Sequence, residues 1–235
     1  MADETVRYEL IDKVAVITLD DGKVNAVSPT VVAALNKFLD RAEGEASAVM
    51  LCGRPGRLSG GFDLSVMTGS LEGMRDLVVT GAELLMRMYG FPRPVVTACT
   101  GHALAMGALL LLASDQRVGA RGDFKIGLNE VKIHLPLPSF GMELARDRLS
   151  KRHFTQATSQ ARIYDPETAI DAGYLDAIEE PDKLIATTLR LASTMGELPH
   201  PAFRETKRRE RGAMIERTRR TLVADVAELT TPVPQ

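Results

Sequence analysis

Arg93 to Asp115 reads RPVVTACTGHALAMGALLLLASD, a strand, a small-residue turn and a buried helix in immediate succession. Pro94 ends what precedes it, and Val95 to Thr100 is a partly β-branched run of strand length. Gly101, Ala103, Ala105 and Gly107 then alternate small residues, so the backbone turns sharply and another group can come close. Ala108 to Ala113 offers no polar face, which predicts a helix packed on all sides. The first N–H groups of such a helix have no intrahelical partner and point back into the turn as donors for a developing negative charge. The same pattern also suits a plain buried strand-turn-helix of any α/β protein.

Working outward, 235 residues with 45% hydrophobic content can bury one core, or one core and a small appendage. The formal charge of −2 argues against a general polyanion binder. Its distribution is uneven: residues 201–220 hold eight Lys/Arg against three Glu, a net +5 that leaves −7 for the rest. Cys52 and Cys99 sit in apolar strand-like runs without metal-ligand spacing and read as reduced core residues. The start, MADETVRYEL, has no apolar signal core, and no run is long enough to span a bilayer, so a cytoplasmic protein is expected.

Before the central stretch, Val6 to Ile11 and Val14 to Leu19 predict a hairpin turning at Asp12-Lys13. Ser28-Pro29 predicts a helix start, with Gly44 as its end. Ala48 to Cys52 is a strand leading into Leu58-Ser59-Gly60-Gly61-Phe62-Asp63-Leu64, a second small-residue turn before a helix. Ser70 caps a long helix through Tyr89. Beyond Asp115, Gln116 to Val118 and Phe124 to Ile126 are short strands, and a loop carries Glu130. Helices are expected from Ser139, Ser150 and Asp165-Pro166, the last closed by Gly173, and from about Pro181 to Met195. Residues 1–198 form an α/β core, and 199–235 a charged helical segment after Pro199 and Pro201.

The chemistry narrows by elimination. His102, His134, His153 and His200 have no short metal-ligand spacing, no Ser lies in a nucleophile elbow, and Gly101 to Gly107 fits neither a dinucleotide nor a P-loop fingerprint. Two backbone donor turns and facing carboxylates remain, which suit a carbonyl oxygen gaining charge while a carboxylate moves a proton.

With Lys23-Val24-Asn25-Ala26, Ser59 to Leu64, Gly101 to Gly107 with Asp115, Gly127-Leu128-Asn129-Glu130, and Arg162-Ile163-Tyr164 ahead of Ala172-Gly173, the chain resembles the crotonase (enoyl-CoA hydratase/isomerase) superfamily from Val6 to about Arg211. The resemblance implies repeated ββα units with a helical C-terminal part, assembled as trimers or dimers of trimers. It also implies an acyl-CoA thioester of fatty-acid β-oxidation, whose carbonyl oxygen sits in an oxyanion hole, with no further cofactor or metal. On the family pattern the oxyanion donors fall on Gly60 and Met106, with Asn25, Ala26, Ser59, Phe62, Asp63 and Leu64 around the CoA cleft. The usual fate of such a basic run is a solvated helix face; the resemblance instead implies that Lys207 and Arg211 lie near the CoA phosphates, of this subunit or an adjacent one, and RNA ranks last for this segment, which has almost no interleaved aromatics.

Of the two family glutamates, the second matches Glu130, whereas Leu109 stands in place of the first. Hydration, a lyase reaction, uses both carboxylates; a double-bond shift needs one. The segment around Glu130 together with Leu109 is most similar to the mitochondrial type of enoyl-CoA delta isomerase. An apolar Leu109 also excludes water and raises the Glu130 pKa. A Δ3,Δ2-enoyl-CoA isomerase is therefore expected, with a hydratase next and a non-catalytic acyl-CoA or RNA-binding homologue as the competing class. His134, four positions after Glu130, is read first as a solvated loop histidine and second as another proton carrier.

Overall fold

A computed structural model describes residues 5–229. β1 (Val6–Ile11) and β2 (Val14–Leu19) form the expected hairpin, with Asp12 and Lys13 at φ 46° and 64° as a tight turn between twisted strands requires. After β3 (Ala26–Val27), α1 (Pro29–Glu45) begins with the Ser28 hydroxyl accepting from the Val31 N–H at 3.3 Å. Gly44 does not end α1; the helix passes through it and stops where Ala46 turns extended. There follow β4 (Ala48–Gly53), β5 (Gly56–Ser59), β6 (Gly61–Phe62), α2 (Leu64–Met67) and α3 (Leu71–Tyr89), the last capped by Ser70. The central stretch becomes β7 (Val95–Cys99), β8 (Gly101–Leu104) and α4 (Met106–Leu112), every residue of that helix buried.

β9 (Gln116–Ala120) and β10 (Ile126–Gly127) lead into a single 3-10 turn, Glu130–Ile133, and then α5 (Ser139–Arg148). No helix starts at Ser150: its N–H donates to Ala172 O at 3.0 Å, and only α6 (Phe154–Ala157) forms nearby. α7 (Pro166–Ala172) has the expected Asp165 cap and Gly173 stop, and β11 (Ala177–Glu179), α8 (Leu184–Gly196) and α9 (His200–Leu229) complete the described chain.

The main sheet runs β1-β2-β4-β7-β9-β11, parallel except for the β1 edge. A strand covered on both faces should be apolar throughout, and β4 is buried at all six positions. One face carries the larger core beneath α1, α3 and α4; the other carries a smaller apolar cluster that includes Leu184 and Ala192 of α8. A second parallel sheet, β10-β8-β5, and the parallel pair β3-β6 stand beside the main sheet. Their C-terminal ends bring the two glycine-rich turns and Glu130 to one end of the molecule.

α9 packs on α3 and α5, and its Met214, Leu222 and Val226 join the larger core. Its most buried charges define how it is held. Lys207 Nζ and Arg211 Nη1 each lie 2.8 Å from the Asp115 carboxylate, and Arg211 also donates to Tyr89 O at 3.0 Å while covering the Tyr89 ring. Burial pushes the Lys207 ammonium down to about 8 against the opposing pull of Asp115. Lys207 borders a groove between α3 and α9 lined also by Met86, Arg87, Phe91 and Ile215, yet it and Arg211 are only 4% and 5% exposed. This corrects the expectation that they hold CoA phosphates: both cations are already ion-paired with Asp115, and an incoming phosphate would have to reach into the interior and compete with that carboxylate.

Asp115→Asn leaves buried Lys207 without its counter-charge and Arg211 with only the 3.7 Å contact to Glu210, and should cost about 3–5 kcal/mol in urea denaturation. Glu205→Gln, which touches the exposed pairs with Arg208 and Arg209, should leave the denaturation midpoint close to that of the parent. Equal losses from the two substitutions would remove Asp115 as the anchor of α9.

Candidate active site

The loop Asp20 to Val27 is built around one carboxylate and one amide. Asp21 accepts from the N–H groups of Lys23, Asn25 and Ala26 at 2.7, 2.8 and 3.1 Å. Burial raises its pKa, but these donors outweigh burial and hold it below its ordinary value. Asn25, buried at φ 52°, sends its side-chain amide to Leu19 O, Arg57 O and Leu58 O at 2.9 to 3.1 Å. Asn25 thus fastens β2 to β5, and its side chain has no donor left for a ligand. Ser59 is similarly committed: its hydroxyl donates to Asn25 O at 2.7 Å and accepts from the Gly61 N–H at 3.2 Å.

The first glycine-rich turn does not free the N–H that the sequence suggests. Gly60 N–H donates to Val24 O at 2.8 Å and is spent there, which corrects its expected role as an oxyanion donor. Asp63 N–H reaches Val27 O at 3.1 Å, and among the described residues β6 pairs only with β3. Successive N–H groups of an extended strand point to opposite sides, so the Phe62 N–H points away from β3. Gly61, at φ +116°, makes this possible; a Cβ there would lie 3.2 Å from Ala105 Cβ and 3.8 Å from Met106 N. The backbone of β6 therefore lies against the start of α4. The Phe62 ring covers Gly81 of α3, Asp63 caps α2 through Ser65, and Leu64 is 69% exposed at the rim.

The second turn supplies the opposing donor. Ala105 N–H donates to Gly127 O at 3.1 Å, and the first intrahelical bond runs from Leu109 N–H to Ala105 O at 3.0 Å. The Met106 N–H precedes that bond and is one of the orphan donors of the helix start. Ala105 adopts φ 49° and ψ −119°, a conformation that costs a non-glycine residue on the order of 1–3 kcal/mol and is held by its surroundings. A side chain at Gly107 would collide with Ser59 O, so glycine there is what lets the two turns touch. Met106 N–H and Phe62 N–H are thereby brought to the same junction. The Phe62 donor was missed in the sequence because the partner of Gly60 lies across a strand pair that local spacing does not display.

Glu130 opens the 3-10 turn that follows β10. It is 8% exposed, its Oε2 has no hydrogen-bond partner among the described residues, and burial pushes its pKa up to about 7 against the weaker opposing effect of a backbone N–H. The hydroxyl of Tyr174, a residue with no exposed surface, is also without a partner. Burial first, then Tyr164 and Glu130, push the Tyr174 pKa well above its ordinary value. Tyr174 is a polar neighbour of Glu130 that no sequence motif marks. His134 ends the turn in the left-handed region and is exposed, in line with the solvated reading. Leu109 is buried on α4, with its methyl groups 3.5 Å from where a Cβ on Gly141 of α5 would lie. The site thus offers backbone donors at one junction, one buried carboxyl near neutrality, and an apolar helix face.

Among the described residues, no helix is long and apolar enough to cross a membrane. The enoyl-CoA hydratase/isomerase family model matches residues 9–232. An enoyl-CoA hydratase/isomerase family protein from Pseudomonas syringae shares 43% identity and a TM-score of 0.91, with 96% of each chain covered. A Mycobacterium tuberculosis protein, described in one structure as an enoyl-CoA isomerase and in another as a probable enoyl-CoA hydratase, shares 37% at a TM-score of 0.91, the first covering 97% of this chain and 99% of that one. Human mitochondrial enoyl-CoA delta isomerase 1 is 27% identical over 91% of this chain and 72% of its own. The chain spans only 30% of an Arabidopsis thaliana peroxisomal multifunctional β-oxidation protein, with 30% identity, and its match to a probable enoyl-CoA hydratase of Rhodobacter capsulatus spans 48% of that protein, with 38% identity. With these matches and the mixed α/β architecture behind it, the chain belongs to the enoyl-CoA hydratase/isomerase family, the crotonase superfamily.

Proposed function

We propose that the protein is a Δ3,Δ2-enoyl-CoA isomerase, working as a trimer or a dimer of trimers. The observation that carries this reading is a single buried carboxyl, Glu130, poised near pH 7, on a site where α4 presents Leu109 in place of a second carboxylate. The thioester oxygen is held by the N–H groups of Met106 and Phe62. Glu130 as carboxylate takes a proton from C2 of a 3-enoyl thioester; the electrons move into the C2–C1 bond and onto oxygen, giving a dienolate. The backbone donors stabilise that charge in a dry, low-dielectric place. Glu130 returns the proton at C4, and the double bond settles between C2 and C3. Nothing in this sequence of steps consumes water or changes oxidation state.

Hydration is the second reading, because relatives named as probable hydratases are among the matches. Water addition asks for a second polar group to orient the nucleophile, and a buried leucine supplies none. Product analysis separates the two: 3-enoyl-CoA should be converted to the conjugated 2-enoyl thioester, whereas rapid hydration of 2-enoyl-CoA with no action on the 3-isomer would reverse the assignment.

Glu130→Gln keeps the size of the group and removes the base, so turnover should fall by at least ~10²-fold with little change in substrate binding. Retention of the parental rate would pass the role to another group, His134 first. Leu109→Glu should slow isomerisation, because a like charge placed near Glu130 raises one of the two pKa values. In the parent, kcat/KM should decline below an apparent pKa of about 7 as the base takes up a proton.

Stability should move the other way. The folded carboxyl holds its proton up to about pH 7 against an ordinary 4.5. The contribution of neutral Glu130 is therefore complete below 4.5 and lost as pH rises through about 7. Glu130→Gln should accordingly be more stable than the parent at pH 8, by an amount on the order of 1–3 kcal/mol, and show no such gain at pH 4. An unchanged difference between the two pH values would mean that Glu130 is not held near neutrality.

A further inference from the structure

Apart from the site, the small sheet carries a row of basic side chains with no part in the chemistry above. The register pairs Arg57 of β5 with His102 of β8, and the pairing of Ile126 with Ala103 sets Lys125 beside His102 on the other side. Register partners on adjacent strands project from the same face, so Arg57 and Lys125 flank the His102 ring from either side, and both charges act on it. Among the described residues, neither Arg57 nor Lys125 makes an ion pair within the protein, and Arg57 Nε is buried without a partner. The nearby Arg54 is already engaged, with Asp20 at 3.7 Å and Lys23 O at 2.8 Å.

His102 is fixed in a useful form. Its Nδ1 accepts from the Lys125 backbone N–H at 2.9 Å, so the neutral ring carries its proton on Nε2 and presents a donor there. Phe124 backs the ring edge-to-face at 5.4 Å. Burial first, then the charges of Arg57 and Lys125, lower the His102 pKa, with Asp123 pulling the other way. Asp123 is exposed and, among the described residues, is not ion-paired with either cation.

We infer that Arg57, His102 and Lys125 form an anion site for a phosphate group, at the N-terminal side of the small sheet and apart from the Glu130 end. A guanidinium fork, an imidazole N–H and an ammonium make a donor set that suits phosphate oxygens. The phosphate belongs to a small molecule. It is either free in solution or part of the coenzyme A tail; the second source rests on the acyl-CoA reading above.

The test is a proton NMR titration of the full chain, following the His102 ring proton, assigned by its loss in His102→Gln. Inorganic phosphate at constant ionic strength, with chloride as the balancing anion, should raise the His102 midpoint by about one pH unit, as an added neighbouring negative charge does. Arg57→Gln and Lys125→Gln, checked for native circular dichroism, should each reduce that rise. If coenzyme A raises the midpoint while inorganic phosphate and the analogue lacking the 3′-phosphate do not, the inference holds with the substrate's own 3′-phosphate as the ligand. No movement with either phosphate or coenzyme A overturns it, as does a full rise that survives the Arg57→Gln/Lys125→Gln double substitution. Turnover of 3-enoyl-CoA, followed in the same samples, reports on the isomerase reading separately.

Discussion

The site depends on one close approach: the backbone of α4 at Gly107 rests on the carbonyl of Ser59, with no room for a Cβ between them. Everything else around the junction serves that contact. Asn25 spends its amide on three carbonyls to fasten β5, and Ser59 bridges Asn25 O and the Gly61 N–H. Ala105 accepts a strained backbone so that α4 can start where β8 ends. The result is a pair of turns, from segments more than forty residues apart, whose free N–H groups share one place. Backbone donors stabilise charge strongly only when they are fixed in advance, and this packing, with the Asn25 and Ser59 side chains bracing it, fixes them.

Glu130 is held at odds with the stability of the fold. A carboxyl with an unpaired oxygen in the interior is costly as an anion, and its pKa near 7 is the direct expression of that cost. The same burial makes it a better base than a solvated glutamate at neutral pH, because affinity for the proton and availability of the carboxylate are balanced there. Asp115 shows the opposite solution to burial. It gathers two cations, and in doing so it ties a thirty-residue helix to the end of α4.

Much of this was legible in the sequence where the signal is local. Ser28-Pro29, Ser70 and Asp165-Pro166 announce their helices because capping needs only the next three residues, and Asp12-Lys13 announces a turn for the same reason. The buried helix after the second turn follows from its lack of a polar face. The failures are non-local. Gly60 was expected to offer its N–H, but the register of β3 on β6 decides which donors of that turn remain free. Lys207 and Arg211 were expected near the CoA phosphates, because neither the family resemblance nor charge counting along α9 shows an aspartate ninety-two and ninety-six residues away. Gly44 was overridden as a stop because intrahelical bonding continues past it, and Tyr174 carried no motif to mark it as the polar neighbour of Glu130.

In the proposed reaction one carboxyl, Glu130, carries one proton between two carbons of the same substrate. A 3-enoyl-CoA bearing deuterium at both C2 positions, turned over in ordinary water and analysed by mass and NMR, tests it most directly. If Glu130 takes the C2 deuteron and returns it within a closed, dry site, the 2-enoyl product carries deuterium at C4, and Glu130→Gln forms that product at least ~10²-fold more slowly. Product formed at the parental rate by Glu130→Gln, with only solvent hydrogen at C4, would contradict the account.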